Sequence, residues 1–231
     1  MSLVREFCAE NMTLVPAAVA AGARRIELCD NLAVGGTSPS YGVLRAAVAF
    51  ARERNVDIMA MCRPRGGSFA YDETERSMLA DDVRCARTLG VTGAVFGCVC
   101  LADDGRPVID AELTRILVEE AKGPGKGIAT GEPPLELTFH MAFDELDLGR
   151  QLEALDLLAS LGVERVLTHG GPLSTPIDDN LGRLKRLVGH AAGRIAIMPG
   201  GGVTWQNAQE VADALGVSQV HGSRIVNLGD R

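Results

Sequence analysis

Aromatic side chains are scarce in this chain: one Trp, two Tyr and six Phe among 231 residues. Basic charge is also short, with 23 Lys and Arg against 30 Asp and Glu, a formal net charge of −7. Sequence-independent binding to nucleic acid needs the opposite sign and aromatic stacking platforms, so that class is excluded. No apolar run approaches the length of a membrane span. The first residues lack the basic and apolar regions of a secretory signal, so no membrane association and a cytoplasmic location are expected. Six cysteines without paired spacing fit a reducing compartment rather than a disulfide framework. There is no CxxC or HExxH element, no Walker loop, and no glycine fingerprint after the first strand. A preformed zinc motif or a nucleotide is therefore not specifically indicated.

What the chain does have is apolar content, 46% of its residues. That is enough for one sizeable core, and a single domain spanning residues 1–231 is expected. Short β-branched or apolar runs alternate with amphipathic segments. The expected strands are Val4–Ala9, Arg25–Cys29, Val56–Cys62, Gly93–Val99, Leu135–His140, Arg165–Thr168, Arg194–Met198 and Gln219–His221. Between them the period changes to that of helices near Leu14–Ala21, Val43–Arg54, Glu73–Leu89, Ala111–Lys122, Gly149–Leu161, Asp179–Ala191 and Trp205–Leu215. Asn11 or Thr13 can cap the first helix and Asp72 or Thr74 the third. Glycines such as Gly216 mark helix ends. Eight βα repeats predict an α/β fold of the (β/α)8 TIM-barrel type, with the eighth helix short or missing. A subunit partner, as in a homodimer, is expected to cover that flank. The Gly/Pro-rich stretch Lys122–Pro134 is expected to be a mobile loop on the N-terminal face.

Function in such a barrel gathers at the C-terminal strand ends, and those ends are polar here. The first two strands read Glu6-Phe7-Cys8 and Glu27-Leu28-Cys29, each turning a carboxylate and a thiol to one face. Two inward thiols on neighbouring strands suit a soft ion such as Cu(I); zinc prefers four ligands. A free cysteine is also simply a small buried hydrophobe. Cys98 and Cys100 are expected to share one face of strand four as packing, and Cys85 to be helix core. Arg63 and Arg65, two residues apart, can clamp an anionic substrate or pair with Glu6 and Glu27 inside the barrel. His140 and His221 stand where a proton or a metal can be handled, or where a hydrogen-bonded structural histidine would sit. The loops holding Gly170, Gly200, Gly201, Gly202, Gly222 and Ser223 can turn backbone N–H groups toward an anion, or can be plain tight turns.

Several of these runs occur together in one order: RIELCDNLAVGGTSPSYGVL (Arg25–Leu44), MCRPRGGSFAY (Met61–Tyr71), ERSMLADDV, GAVFGCV (Gly93–Val99), LTFHMAFD (Leu137–Asp144), RVLTHGG (Arg165–Gly171), IMPGGGV (Ile197–Val203) and VHGSRI (Val220–Ile225). Taken together, over nearly the whole chain, they resemble the copper homeostasis protein CutC family. The resemblance implies a cytoplasmic TIM barrel with Cys8 and Cys29 as Cu(I) ligands. It makes Glu27, Arg63, Arg65, His140 and Asp144 a polar site. Met141 stands where an arginine is common in that family and His169 where a serine is common, which implies an altered pocket. Two functions follow as expectations. One is a copper-binding homeostasis protein. The other is an enzyme acting on a small phosphorylated or carboxylated substrate, served by the arginines, His140, the carboxylates and the glycine loops.

Overall fold

The computed structural model describes residues 3–123 and 134–229. Most of the stretch Lys122–Pro134 lies outside the described residues. Eight strands and seven α-helices alternate: β1 (Val4–Glu10), α1 (Val15–Ala20), β2 (Arg25–Cys29), α2 (Tyr41–Arg52), β3 (Asp57–Met61), α3 (Glu73–Leu89), β4 (Gly93–Phe96) and α4 (Ala111–Lys122). There follow β5 (Glu136–Phe139), α5 (Leu148–Leu161), β6 (Arg165–Thr168), α6 (Ile177–Ala191), β7 (Ala196–Pro199), α7 (Ala208–Leu215) and β8 (Gln219–Gly222). All the strand pairs are parallel, in the order β8-β1-β2-β3-β4-β5-β6-β7. No ladder joins β7 to β8, so the barrel is nearly closed. The Trp205 amide donates to the Arg224 carbonyl at 2.8 Å, just beyond those two strands. No eighth helix occurs among the described residues.

Local chemistry explains the element ends. Asp72 accepts from the Glu75 amide while Glu75 reaches back, a full capping box at the start of α3. Ser40, Asp110 and Asp147 cap α2, α4 and α5 in the same way. Gly90, Gly162 and Gly216 end α3, α5 and α7 in left-handed conformation. The first helix departs from expectation: its cap position is Leu14, with no side-chain cap, and Asn11 instead takes a left-handed turn at φ 57°. The fourth strand also stops early, at Phe96. Val99–Leu101 and Pro107–Ile109 form a separate antiparallel hairpin. Cys98 and Cys100 are therefore not on strand four; Cys98 instead packs beside Thr114 of α4, with sulfur and hydroxyl 3.4 Å apart.

Strand alternation divides the interior in two. Outward residues such as Phe7, Ile26, Ile58, Phe96, Leu137 and Val166 meet the helices in one large apolar core. Inside the barrel a second, small cluster contains Cys29, Met59, Met61 and Val95, with Cys8 and Leu32 packed against it. Below that sulfur-rich layer lies a charged one. Arg25 contacts Glu6 at 2.7 Å and donates to Gln219 at 2.6 Å. Arg165 pairs with Glu136 and donates to Thr138. Buried charges persist only when paired, and this layer pairs them across five strands.

The lining leaves little slack. A β-carbon on Gly93 would lie 2.2 Å from Met59 Cε and 2.4 Å from the Glu136 carbonyl. Gly93→Ala is therefore expected to lower stability by about 1–3 kcal/mol. Gly182→Ala, on an open face of α6, is expected to gain up to about 1 kcal/mol by helix propensity. Urea midpoints of the two variants check this, and a Gly93→Ala midpoint equal to that of the parent chain would show that the inner layer yields freely.

Candidate functional site

The first two strands and the last one meet at the barrel interior. The register places Glu6 opposite His221 on one side and Arg25 on the other, and Cys8 opposite Glu27. Ligand atoms of Cys8, Glu27 and His221 all lie within 4.8 Å of one another. His221 is held between two carboxylates: Nδ1 is 2.9 Å from Glu6 Oε1 and Nε2 is 3.7 Å from Glu27 Oε2. The Cys29 thiol donates to Glu27 Oε2 at 3.6 Å. Glu27 Oε1 is buried without a hydrogen-bond partner. Cys29, Glu27 and His221 are buried, and Cys8 is half-buried.

The charges follow from this packing. The neighbouring Cys29 thiol and the His221 ring hold Cys8 well below the usual thiol range, against the opposing effect of burial. Cys29 is pushed up by Cys8, by burial and by Glu27. Burial drives Glu27 well above the usual carboxylate range, with the nearby sulfur and Glu6 adding to it. His221 is raised because Glu27, Glu6 and Cys8 outweigh burial. Glu6 is lowered because His221 and Arg25 outweigh burial.

The arginine pair sits elsewhere. Arg63 is buried, and its Nη1 donates to the Val34 and Gly36 carbonyls, each at 3.0 Å. Its Nη2 donates to the Gly67 carbonyl at 2.9 Å, and the guanidinium stacks 4.7 Å from the Phe69 ring. It buckles the loops after β2 and β3 together at the barrel mouth. Arg65 points away from the interior and pairs with Glu75 while donating to the Gly66, Ser68 and Ala70 carbonyls. Neither arginine meets Glu6 or Glu27; their place as the inner cation is taken by Arg25, whose signal in the sequence was its alternation with Glu27 and Cys29. Asp144 accepts from the Thr168 hydroxyl and from the His169 amide at 2.8 Å, bracing the loop after β6. The His169 ring nitrogens face the Gly200, Gly201 and Thr175 carbonyls.

The glycine loops are likewise partly engaged. The Gly170 amide donates to Thr168 Oγ1 at 2.9 Å and the Gly200 amide to the Thr168 carbonyl at 3.1 Å. Gly200 sits where a β-carbon would press on Leu167, Met141 and His221, so Met141 does line the mouth. Gly201 and Gly202 take left-handed φ values, 73° and 81°. Gly222 lies in β8 with no space for a side chain beside the Val203 carbonyl. Ser223 is exposed rather than inward-facing.

His140 begins the 3₁₀ turn Met141–Glu145, its Nδ1 accepting from the Ala142 amide at 3.1 Å. Its Nε2 is buried without a partner, as are Arg63 Nε and Tyr71 OH nearby. Burial, then the Arg63 charge, lowers the His140 pKa to about 3. Unfolded histidine titrates near 6.5, so below that pH the unfolded chain holds a proton that the folded chain refuses. This term is constant above about pH 7, and it lowers stability as pH falls from about 6.5 toward 3. His140→Asn keeps the cap acceptor and removes that term. Its stability loss on acidification from pH 7 to pH 5 should be shallower by roughly 1.4 kcal/mol per pH unit below 6.5. Urea unfolding at several pH values checks this, and parallel curves for the two proteins would contradict a neutral buried His140.

Comparison with known proteins places this geometry. The CutC family model matches residues 3–226. A family protein CutC of Enterococcus faecalis is 48% identical over 224 residues, covering 97% of this chain and all of the relative. A human copper homeostasis protein cutC homolog is 38% identical over 216 residues, covering 94% of this chain and 71% of the relative. The crystal structure of a CutC protein from Streptococcus agalactiae superposes with a TM-score of 0.86 at 40% identity, over 97% of this chain and 100% of that one. A barrel of this topology, matched from end to end by that family, has one assignment: the chain belongs to the CutC family.

Proposed function

We propose that this chain is a copper homeostasis protein that binds Cu(I) as its cargo through Cys8 and Cys29. The observation that carries this reading is the inner cluster, where Cys29, Met59 and Met61 gather with Cys8 packed against them, apart from the main core. Thiolates and thioethers are the donors that select Cu(I) over harder ions. The depressed pKa of Cys8 supplies the thiolate that such binding requires. The name of the human relative supports a copper role. Action in the cytoplasm, and a second copy of the chain covering the flank without an eighth helix, belong to the same proposal. No helix among the described residues is long and apolar enough to cross a membrane.

A second reading is favoured by a different observation. Arg63 Nε and His140 Nε2 are buried beside Phe69 at the barrel mouth, Tyr71 OH is buried near Arg63, and none of the three has a hydrogen-bond partner. Unpaired buried polar atoms of this kind are costly, and a small anionic molecule would satisfy them. In this reading the barrel is an enzyme for a phosphorylated or carboxylated substrate, with Arg63 fixing the charge and the neutral His140 donating a hydrogen bond from its Nε2–H. Arg65 acts there by holding the loop, Asp144 by bracing the strand-six end, and Gly200–Gly202 with Gly222 and Ser223 by shaping the rim.

Competition against a chromophoric Cu(I) chelator, without oxygen and with reductant, tests the copper reading. Changing Cys8→Ala together with Cys29→Ala should weaken Cu(I) binding by about two orders of magnitude or more, because two thiolates supply the bonds a soft ion favours. Cys85→Ala, on α3 outside the barrel, should leave the affinity unchanged. Undiminished affinity in the double variant would sink the copper reading and leave the anionic substrate.

A further inference from the structure

Sequence spacing offers two soft ligands, and on that count a divalent ion has little to hold it. The fold brings two more donors to the first of those thiols. His221 arrives from the far end of the chain, on β8, and Glu27 comes from β2 between the two thiols. What separates this cluster from a chance grouping is the orientation of the histidine. Its Nδ1 is engaged by the Glu6 carboxylate at 2.9 Å, and Glu6 is in turn fixed by Arg25 at 2.7 Å. A ring whose Nδ1–H is donated to a buried carboxylate keeps that proton, so an incoming cation displaces the other one and binds the lone pair left on Nε2. That nitrogen faces Glu27 and Cys8. Carboxylate–histidine pairing is the usual outer support of a metal-ligating imidazole. A second observation agrees: Glu27 Oε1 is buried, in a residue only 2% exposed, with no hydrogen-bond partner.

We propose that Cys8, Glu27 and His221 form a site for a divalent cation of the zinc class, with Glu6 as its outer-shell support. Tetrahedral Zn²⁺ bonds of about 2.0–2.3 Å place ligand atoms roughly 3.3–3.8 Å apart. The Nε2–Oε2 separation of 3.7 Å already has that value. The remaining pairs, all within 4.8 Å, reach it by side-chain movements of about 1 Å. The Cys29 thiol donates to Glu27 Oε2 and so stands beside a ligand, outside the set of three. Three protein ligands leave the fourth tetrahedral position to water or a small molecule, the arrangement of reactive rather than purely structural zinc centres. The half-exposed Cys8 edge provides the entry. The site shares Cys8 with the copper reading and is otherwise independent of it.

Co²⁺, a spectroscopic stand-in for Zn²⁺, tests the site in the intact reduced chain without any substitution. One equivalent should produce a thiolate-to-Co²⁺ charge-transfer band in the near ultraviolet and the intense visible bands of tetrahedral cobalt. Zn²⁺ should bleach both at a 1:1 ratio. His221→Gln and Glu27→Gln should each weaken Zn²⁺ binding by about a hundredfold, and Glu6→Gln by about tenfold with displaced Co²⁺ bands. Cys29→Ser should keep Zn²⁺ affinity while losing tight Cu(I) binding; His221→Gln should do the reverse. Octahedral cobalt without a thiolate band overturns the proposal, as does unchanged Zn²⁺ affinity in a folded His221→Gln protein. Loss of Zn²⁺ binding in Cys29→Ser overturns the three-ligand set. None of the three overturning results bears on Cu(I), whose reading fails separately in the double cysteine variant.

Discussion

Glu6 has no solvent exposure, yet its carboxylate sits at the crossing of three strands. Arg25 reaches it from β2 and His221 from β8, and Arg25 also grips Gln219 beside them. Removing one partner from such a buried network typically costs about 3–5 kcal/mol, a large share of the 5–15 kcal/mol that holds a domain folded. The location gives the network its importance. It ties β8 to β1 and β2 next to the one seam, β7 to β8, that has no ladder. The same contact that anchors β8 beside that seam engages Nδ1 of His221 and turns Nε2 toward Cys8 and Glu27. Anchoring of the last strand and preparation of the interior are thus one interaction.

Above this charged layer the barrel is lined with sulfur, and the change is abrupt. Met59 faces the same interior as Glu27 in the pairing register, and Gly93 across from Met59 has no side chain because the thioether occupies that space. A lining of this kind excludes water while leaving polarizable donors free. The mouth is then narrowed by loops rather than by helices. Arg63 pulls the Val34 and Gly36 carbonyls toward the loop after β3, and the Glu10 carboxylate accepts the Leu32 amide at 2.6 Å. A β-carbon on Gly36 would lie 3.1 Å from Cys29 Sγ. The GGTSPS segment is thus a cover seated directly on a candidate ligand.

The strand and helix periods make the barrel legible in the sequence, because inward and outward residues alternate cleanly and glycines end the helices. Arg25–Cys29, Glu73–Leu89, Ala111–Lys122 and Arg165–Thr168 have the bounds that periodicity suggests. Misreadings arose where the chain leaves a strand. The apolar run through Val99 looks continuous, but the backbone turns at Gly97, where the His140 ring fills the space a β-carbon would need. Arg63 and Arg65 have strand spacing but lie beyond Met61, so parity no longer governs them. The cations that do face inward, Arg25 and Arg165, lie at strand starts, far from the polar C-terminal ends that drew attention. The partnership of Cys8 and Glu27 with His221 spans nearly the full chain length, and only closure of the barrel creates it.

In the two metal sites proposed above, Cys8 serves two donor sets of different chemical character. On one side stand Cys29, Met59 and Met61, which suit a soft ion with few bonds. On the other stand Glu27 and His221, which suit a borderline ion with four. One sulfur bridging both within so small a space makes occupancy exclusive, since two cations sharing it would repel strongly in a low-dielectric interior. The choice between them then rests on which ion is supplied and on which donors are free to bind it. Glu27 shifts that balance. Holding a proton, it hydrogen-bonds the sulfurs and leaves the soft pair to act. Ionised, it contributes an oxygen to the harder set. The carboxylate that looks out of place among thiols is thus the group that separates the two chemistries.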